Sequence, residues 1–131
     1  MILKEVCTGK IAIHGSGWIG RSAPKAAFKA GLWVPASISE IQDIPALAAL
    51  FAEDTNYGCW HEEVKAAANG FVIGGREIPY FDTMQTLLNW GALVVDVVVD
   101  CTGRATQRAV AQAHLDRGAR RVLVSAPSKS L

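Results

Sequence analysis

The spacing of apolar and polar positions changes several times along this chain, and each change marks an element. Lys10-Ile-Ala-Ile-His14 is an apolar run of strand length. A glycine-rich turn follows, and the stretch from Ile19 to Ala30 then reads as a helix closed by Gly31. Leu32 to Ile38 predicts a second strand and Ile44 to Ala52 a second helix. Glu62 to Ala68 fits a strand or a poor helix. Phe71-Val-Ile73 and Arg76-Glu-Ile-Pro-Tyr80 flank Gly74-Gly75, the two-residue signature of a β-hairpin. Thr83 to Leu88 predicts a short helix. Val94 to Val99 is strongly β-branched, as in a parallel strand buried on both faces. An amphipathic helix from Thr106 to Asp116, stopped near Gly118, and the strand Arg121-Val-Leu-Val-Ser125 complete the series.

The order is therefore β-α-β-α, a hairpin excursion, then β-α-β. Strands alternating with helices imply crossover connections and an open, mostly parallel sheet of the doubly wound α/β class. Residues 1–131 read as one domain, with no repeat, low-complexity segment or dividing linker. Two prolines interrupt the pattern. Pro24 falls within the first turns of the first helix, where it removes a hydrogen bond unless the helix begins late, near Arg21. Pro35 lies in the second strand, which is expected to pair fully only after it.

Composition changes this picture little. Half of the 131 residues are hydrophobic and the net charge is +1, so nothing points to nucleic acid or a membrane surface. The longest apolar run, Ala92 to Val99, contains Asp96 and is too short to span a bilayer. Met1 to Gly9 carry Lys4 and Glu5 and lack the apolar core of a signal peptide, which predicts a soluble, cytoplasmic protein. Cys7, Cys59 and Cys101 form no CxxC pair, so reduced thiols are expected, and no metal site. The Cys59 and His61 pair is read as accidental. His14 is expected in a turn and His114 on a helix surface. Arg104, Arg108, Arg117, Arg120 and Arg121 are expected to be solvated.

Chemistry enters at the glycine turn. Gly15-Ser-Gly17-Trp-Ile-Gly20 fits G-x-G-x-x-G, and it follows a strand and opens a helix, the context that gives the pattern meaning. Gly15 suits the tight turn, Gly17 lets a pyrophosphate approach the backbone, and Gly20 lets helix and strand pack closely. The free N–H groups of the first helical turn would then face the anion. A dinucleotide site of this Rossmann type also needs an acid about 20 residues on, to hold the adenosine ribose. Glu40 stands there, just past Ser37-Ile-Ser39. Its carboxylate favours NAD over NADP, and no Arg or Lys between Val34 and Pro45 would welcome the extra phosphate.

Four segments, in collinear order from about residue 10 to 129, resemble the N-terminal part of glyceraldehyde-3-phosphate dehydrogenases and the related erythrose-4-phosphate dehydrogenases. They are Lys10-Ile-Ala-Ile-His-Gly-Ser-Gly-Trp-Ile-Gly-Arg21, Leu47-Ala-Ala-Leu-Phe-Ala-Glu-Asp54, Asp96-Val-Val-Val-Asp-Cys-Thr-Gly-Arg104, and Ala113 through Ser125-Ala-Pro-Ser-Lys129. The Cys-Thr-Gly and Ser-Ala-Pro-Ser-Lys stretches are more specific than the glycine pattern. The resemblance implies that Gly15, Gly17, Trp18, Ile19 and Gly20 surround the pyrophosphate. It further implies that Glu40 holds the ribose, that Thr102 and Gly103 line the cleft where the sheet order reverses, and that Ser125 lies near the nicotinamide. The family usually has Asn at the place of His14, an aromatic residue at that of Ser16 and Arg at that of Trp18. Its Asn-Asp after the second strand is Ser39-Glu40 here, and its adenine-side Arg-Asp pair is absent from Tyr80-Phe-Asp-Thr83.

The family's catalytic cysteine and histidine belong to a second domain after the Ser-Ala-Pro-Ser stretch. Covalent catalysis needs a nucleophile beside an activating base, and no cysteine here stands in that context. The leading expectation is an NAD-binding domain that turns over no aldehyde alone. It is expected to self-associate or to pair with a catalytic domain through exposed apolar surface. The alternatives are one part of a split dehydrogenase, or an interaction module that keeps the fold and has lost the cofactor, as Ser16, Trp18, Pro24 and Pro35 suggest.

Overall fold

In the computed structural model, residues 9–15, 18–40, 43–52, 64–73, 75–82, 88–104 and 107–126 are described. Strand β1 (Ile11–His14) leads through the glycine turn into helix α1 (Trp18–Lys29), and β2 (Ser37–Glu40) into α2 (Ile44–Ala52). Three strands follow, β3 (Val64–Ala67), β4 (Gly70–Ile73) and β5 (Arg76–Asp82), then β6 (Val97–Asp100), α3 (Arg108–Asp116) and β7 (Arg121–Val124). The seven strands form one sheet in the order β3-β4-β5-β2-β1-β6-β7. The pairs β5-β2, β2-β1, β1-β6 and β6-β7 are parallel, whereas β3-β4 and β4-β5 are antiparallel. The expected hairpin is thus two strands of a three-stranded meander, whose last strand, β5, docks beside β2.

Local chemistry explains the boundaries. Gly31, at φ +70°, ends α1, as only a residue without a Cβ does cheaply. The second strand starts at Ser37 rather than Leu32, because Pro35 cannot donate to a ladder. Val94, at φ 56°, turns the chain before β6, which therefore starts at Val97 rather than Val94. The first helix does not begin late: it starts at Trp18 and runs through Pro24, which is fully buried. The cost of the lost N–H there falls on a single helical bond. Asp43 Oδ1 accepts the Ala46 amide at 2.7 Å and so caps α2. The short helix expected over Thr83 to Leu88 lies, but for Leu88, outside the described residues, as do Cys7, Cys59 and His61.

Both sheet faces are covered, as the β-branched strands required. On one face Ile13, Ile38 and Val99 pack with Leu47, Phe71 and Ile78, and Phe28 of α1 joins them. On the other, Ala12 and Val98 pack with Trp90, Val95 and Ala119, and α3 buries Ala111 and His114. All five C-terminal arginines are exposed. No helix among the described residues is long and apolar enough to cross a membrane.

Candidate functional site

Parallel strands bring their carboxyl ends together, and this sheet reverses its order at β1, whose neighbours are β2 and β6. Ligands of doubly wound sheets bind in that crevice. At its floor the chain leaves β1 through Gly15, at φ +84°. A Cβ on Gly15 would lie 2.7 Å from Thr102 Cγ2 and 2.8 Å from the Thr102 nitrogen. The Gly15 amide donates to the carbonyl of Ser39 at 2.8 Å, and the Cys101 amide to that of His14 at 2.7 Å. One helical turn on, a Cβ on Gly20 would overlap the Gly15 carbonyl oxygen and lie 3.2 Å from Cys101 Cβ. Two glycines therefore allow strand, turn and helix to meet with no side chain between them. The first turn of α1 holds no acidic residue, so the positive end of the helix is not neutralised from within.

The strands end in polar residues that the register aligns. His14 pairs with Ser39 on one side and with Asp100 on the other. Residues opposite one another in a parallel ladder share a face, so the three form a buried polar row. His14 Nδ1 lies 2.8 Å from Ser39 Oγ. Its ring stands edge-on to those of His114, with centroids 4.9 Å apart, and Trp90, at 6.1 Å. Burial pushes the His14 pKa down, outweighing the nearby Asp100 carboxylate, which pulls it up. Neither histidine is where the sequence suggested: His14 is the last residue of a central strand, and His114 is 1% exposed on the inner side of α3. Strand-terminal and helix-face positions look alike in sequence whether the polar side chain is solvated or paired.

Asp100 holds the next turn. Its Oδ2 lies 2.7 Å from His114 Nε2, and its Oδ1 accepts the Thr102 hydroxyl at 2.6 Å and the Thr102 amide at 3.0 Å. Burial pushes the Asp100 pKa up, but the bonds from His114 and Thr102 outweigh it and hold the carboxyl below its ordinary value. His14, Asp100 and His114 have a ligand set that could suit a metal ion. The hydrogen bonds argue otherwise. Trp90 Nε1 donates to His114 Nδ1 at 3.1 Å, so the ring proton sits on Nε2, where it blocks a metal and faces Asp100.

The sequence-predicted cofactor residues collect at this one end. Gly15 leaves β1, Ile19 and Gly20 open α1, and Glu40 ends β2. Thr102 and Gly103 follow β6, and Ser125 follows β7, its amide donating to the Asp100 carbonyl at 3.1 Å. Trp18 is the first residue of α1. Gly17 and Ser16 lie outside the described residues, as does the side chain of Trp18. The carbonyl of Glu40 accepts the Tyr80 hydroxyl at 2.8 Å, which fixes the end of β2. Cys101 is buried beside Gly20, and its thiol pKa is pushed up by burial, against a smaller opposite effect of a bond to Ser125. At the opposite end of the sheet, a shallow groove of about 470 Å³ opens among Lys10, Trp33, Pro35 and Arg76.

A mostly parallel sheet wound with helices on both faces, reversing beside a glycine turn, defines a nucleotide-binding domain of the Rossmann type. The family model described as glyceraldehyde 3-phosphate dehydrogenase, NAD binding domain, matches residues 9–108, and the chain belongs to that family. It is 40% identical over 121 residues to glyceraldehyde-3-phosphate dehydrogenase of Clostridium acetobutylicum, covering 91% of this chain and 36% of that protein. The enzymes of the same name from Geobacillus stearothermophilus and Chlamydia pneumoniae are 37% and 35% identical, each over 92% of this chain and 36% of their own length. The chain thus spans about a third of the length of these relatives.

Proposed function

We propose that this chain binds a nicotinamide dinucleotide at the carboxyl end of its parallel strands and prefers NAD to NADP. The pyrophosphate would lie over Gly15, Gly17, Trp18, Ile19 and Gly20, and Glu40 would hold the adenosine ribose. Thr102, Gly103 and Ser125 would line the nicotinamide side. The observation that carries this reading is the pinch at Gly15 and Gly20, where a Cβ at either position would strike Gly15, Cys101 or Thr102. It sets the positive end of α1 directly against the end of β1, the arrangement in which helix-start amides receive a diphosphate. When bound, the cofactor supplies a hydride acceptor. These residues bind and orient it, and Glu40 discriminates by repelling a phosphate on the ribose.

Among the described residues no thiolate stands beside a base. Cys101 is buried and its thiol is held protonated, so it is no nucleophile. The proposed share of these residues in an aldehyde oxidation is therefore cofactor binding alone. Self-association belongs to the same proposal. Leu123 on the edge strand β7 is 60% exposed, and Leu115 and Val110 of the adjoining α3 are also exposed. Light scattering is expected to give more than the monomer mass at high concentration, and a strictly monomeric mass would remove this part. Titration calorimetry with NAD and NADP tests the binding. Saturable heat with NAD and weaker heat with NADP is expected, and no binding at millimolar NAD would overturn it.

A further inference from the structure

We propose that His114, outside the cleft, is a positioning residue for the dinucleotide site, acting through Asp100 on the turn Thr102–Gly103. This rests on the reading of the cleft given above. An indole N–H can only donate, so Trp90 Nε1, 3.1 Å from His114 Nδ1, makes that nitrogen the acceptor. The ring proton then sits on Nε2 and is donated to Asp100 Oδ2 across 2.7 Å. From the other side, Thr102 gives Asp100 Oδ1 both its hydroxyl and its amide proton, at 2.6 and 3.0 Å. Having donated its proton, the Thr102 oxygen accepts the Arg104 amide at 3.1 Å. Each donor in this chain points toward the carboxylate, from Trp90 through His114 on one side and from Arg104 through Thr102 on the other.

Burial makes the chain consequential. Trp90, His114 and Asp100 are 0%, 1% and 2% exposed. A carboxylate so enclosed is tolerated only when its oxygens are bonded, and His114 is the partner of Oδ2. Remove that donor and Asp100 either takes up a proton, which makes Oδ1 a weaker acceptor, or swings toward water, and both responses loosen its hold on Thr102. Thr102 and Gly103 are exposed at the carboxyl end of the sheet, and Thr102 packs directly against the space above Gly15. Releasing the turn therefore loosens a wall of the glycine pinch. Trp90 has a part in this, because it selects the histidine tautomer that can donate.

Three variants test the assignment: His114→Leu, His114→Gln and Trp90→Phe. His114→Leu is expected to speed hydrogen exchange at the Thr102 and Arg104 amides about tenfold more than at the α1 amides, and to weaken NAD binding by about tenfold. His114→Gln keeps an amide donor near the place of Nε2 and is expected to restore most of both. In the nitrogen-15 spectrum of the imidazoles, His114 is expected as the Nε2–H tautomer, and Trp90→Phe is expected to shift it toward a mixture. Unchanged relative exchange in His114→Leu, no rescue by His114→Gln, or an Nδ1–H tautomer in the unaltered chain would each overturn the proposal. If His114→Leu does not fold, the two milder variants and the tautomer decide it. If the unaltered chain fails to bind NAD, the cleft reading falls, while exchange and tautomer still report separately whether His114 holds this turn.

Discussion

Replacing Gly20 by alanine is the sharpest test of how the glycine turn works. The substitution lies within α1, where alanine is the better helix former by about 1 kcal/mol, so propensity alone predicts a more stable protein. Packing predicts the reverse. The new methyl would overlap the carbonyl oxygen of Gly15 and lie 3.2 Å from Cys101 Cβ. The first neighbour is backbone and cannot rotate away, so α1 must move off β1. Overpacking of a close-packed site costs about 1–3 kcal/mol, and a clash with main chain belongs at the upper end. The net effect is a destabilisation of about 2 kcal/mol, which lowers the Tm of a chain this size by roughly 7 °C. Gly31→Ala is the control: φ is +70° there, but no atom lies within 4 Å, so only about 1 kcal/mol of left-handed strain is expected. Thermal and urea unfolding of the two variants would measure this. A Gly20→Ala protein as stable as the parent, or more so, would refute the close approach of helix and strand.

Glu40→Gln keeps shape and removes charge. NAD binding should weaken by about tenfold, the worth of one charged hydrogen bond, while NADP binding weakens less or improves. Calorimetry with both cofactors reads the ratio, and an unchanged ratio would remove Glu40 from the specificity argument. Stability should also depend on pH at both ends. The His14 and Asp100 pKa values are lowered by folding, so their contributions are present above the unfolded values and are lost on acidification below about 6.5 and then 3.8. Those of Cys101 and Tyr80 are raised, that of Tyr80 to about 12 chiefly by burial, so stability is lost as pH rises above 9.0 and 10.0. Urea midpoints across this range check both signs, and a protein stabilised by acid between pH 6.5 and 5 would contradict the first.

The element order was legible because apolar periodicity and punctuation agree along most of the chain. The helices starting at Ile44 and ending at Asp116 were readable almost to the residue. Strand starts were less so. Leu32 to Ala36 are apolar, but Pro35 cannot donate to the ladder and bonding to β1 begins only at the Ala36 amide, and the turn at Val94 takes three residues from a run that reads as pure strand. Glycine spacing and Glu40 could be seen because their chemistry depends on chain distance. The Trp90–His114–Asp100–Thr102 chain could not, since its bonds join residues up to 24 positions apart through the packing of α3 on β6. A hint existed. Ile-Ala-Ile-His14 and Val-Val-Val-Asp100 each end an apolar strand in a titratable residue, and His114 lies three positions after the buried Ala111. Pairing these ends requires the register, which no local pattern carries.

Amide chemical shifts recorded while NAD is titrated into the nitrogen-15-labelled chain would test the central claim most directly. Perturbations should concentrate at Gly15, Ile19, Gly20, Glu40, Thr102, Gly103 and Ser125, at the carboxyl end of the parallel strands. Shifts confined to the groove around Lys10, Trp33 and Arg76, at the other end of the sheet, would contradict it.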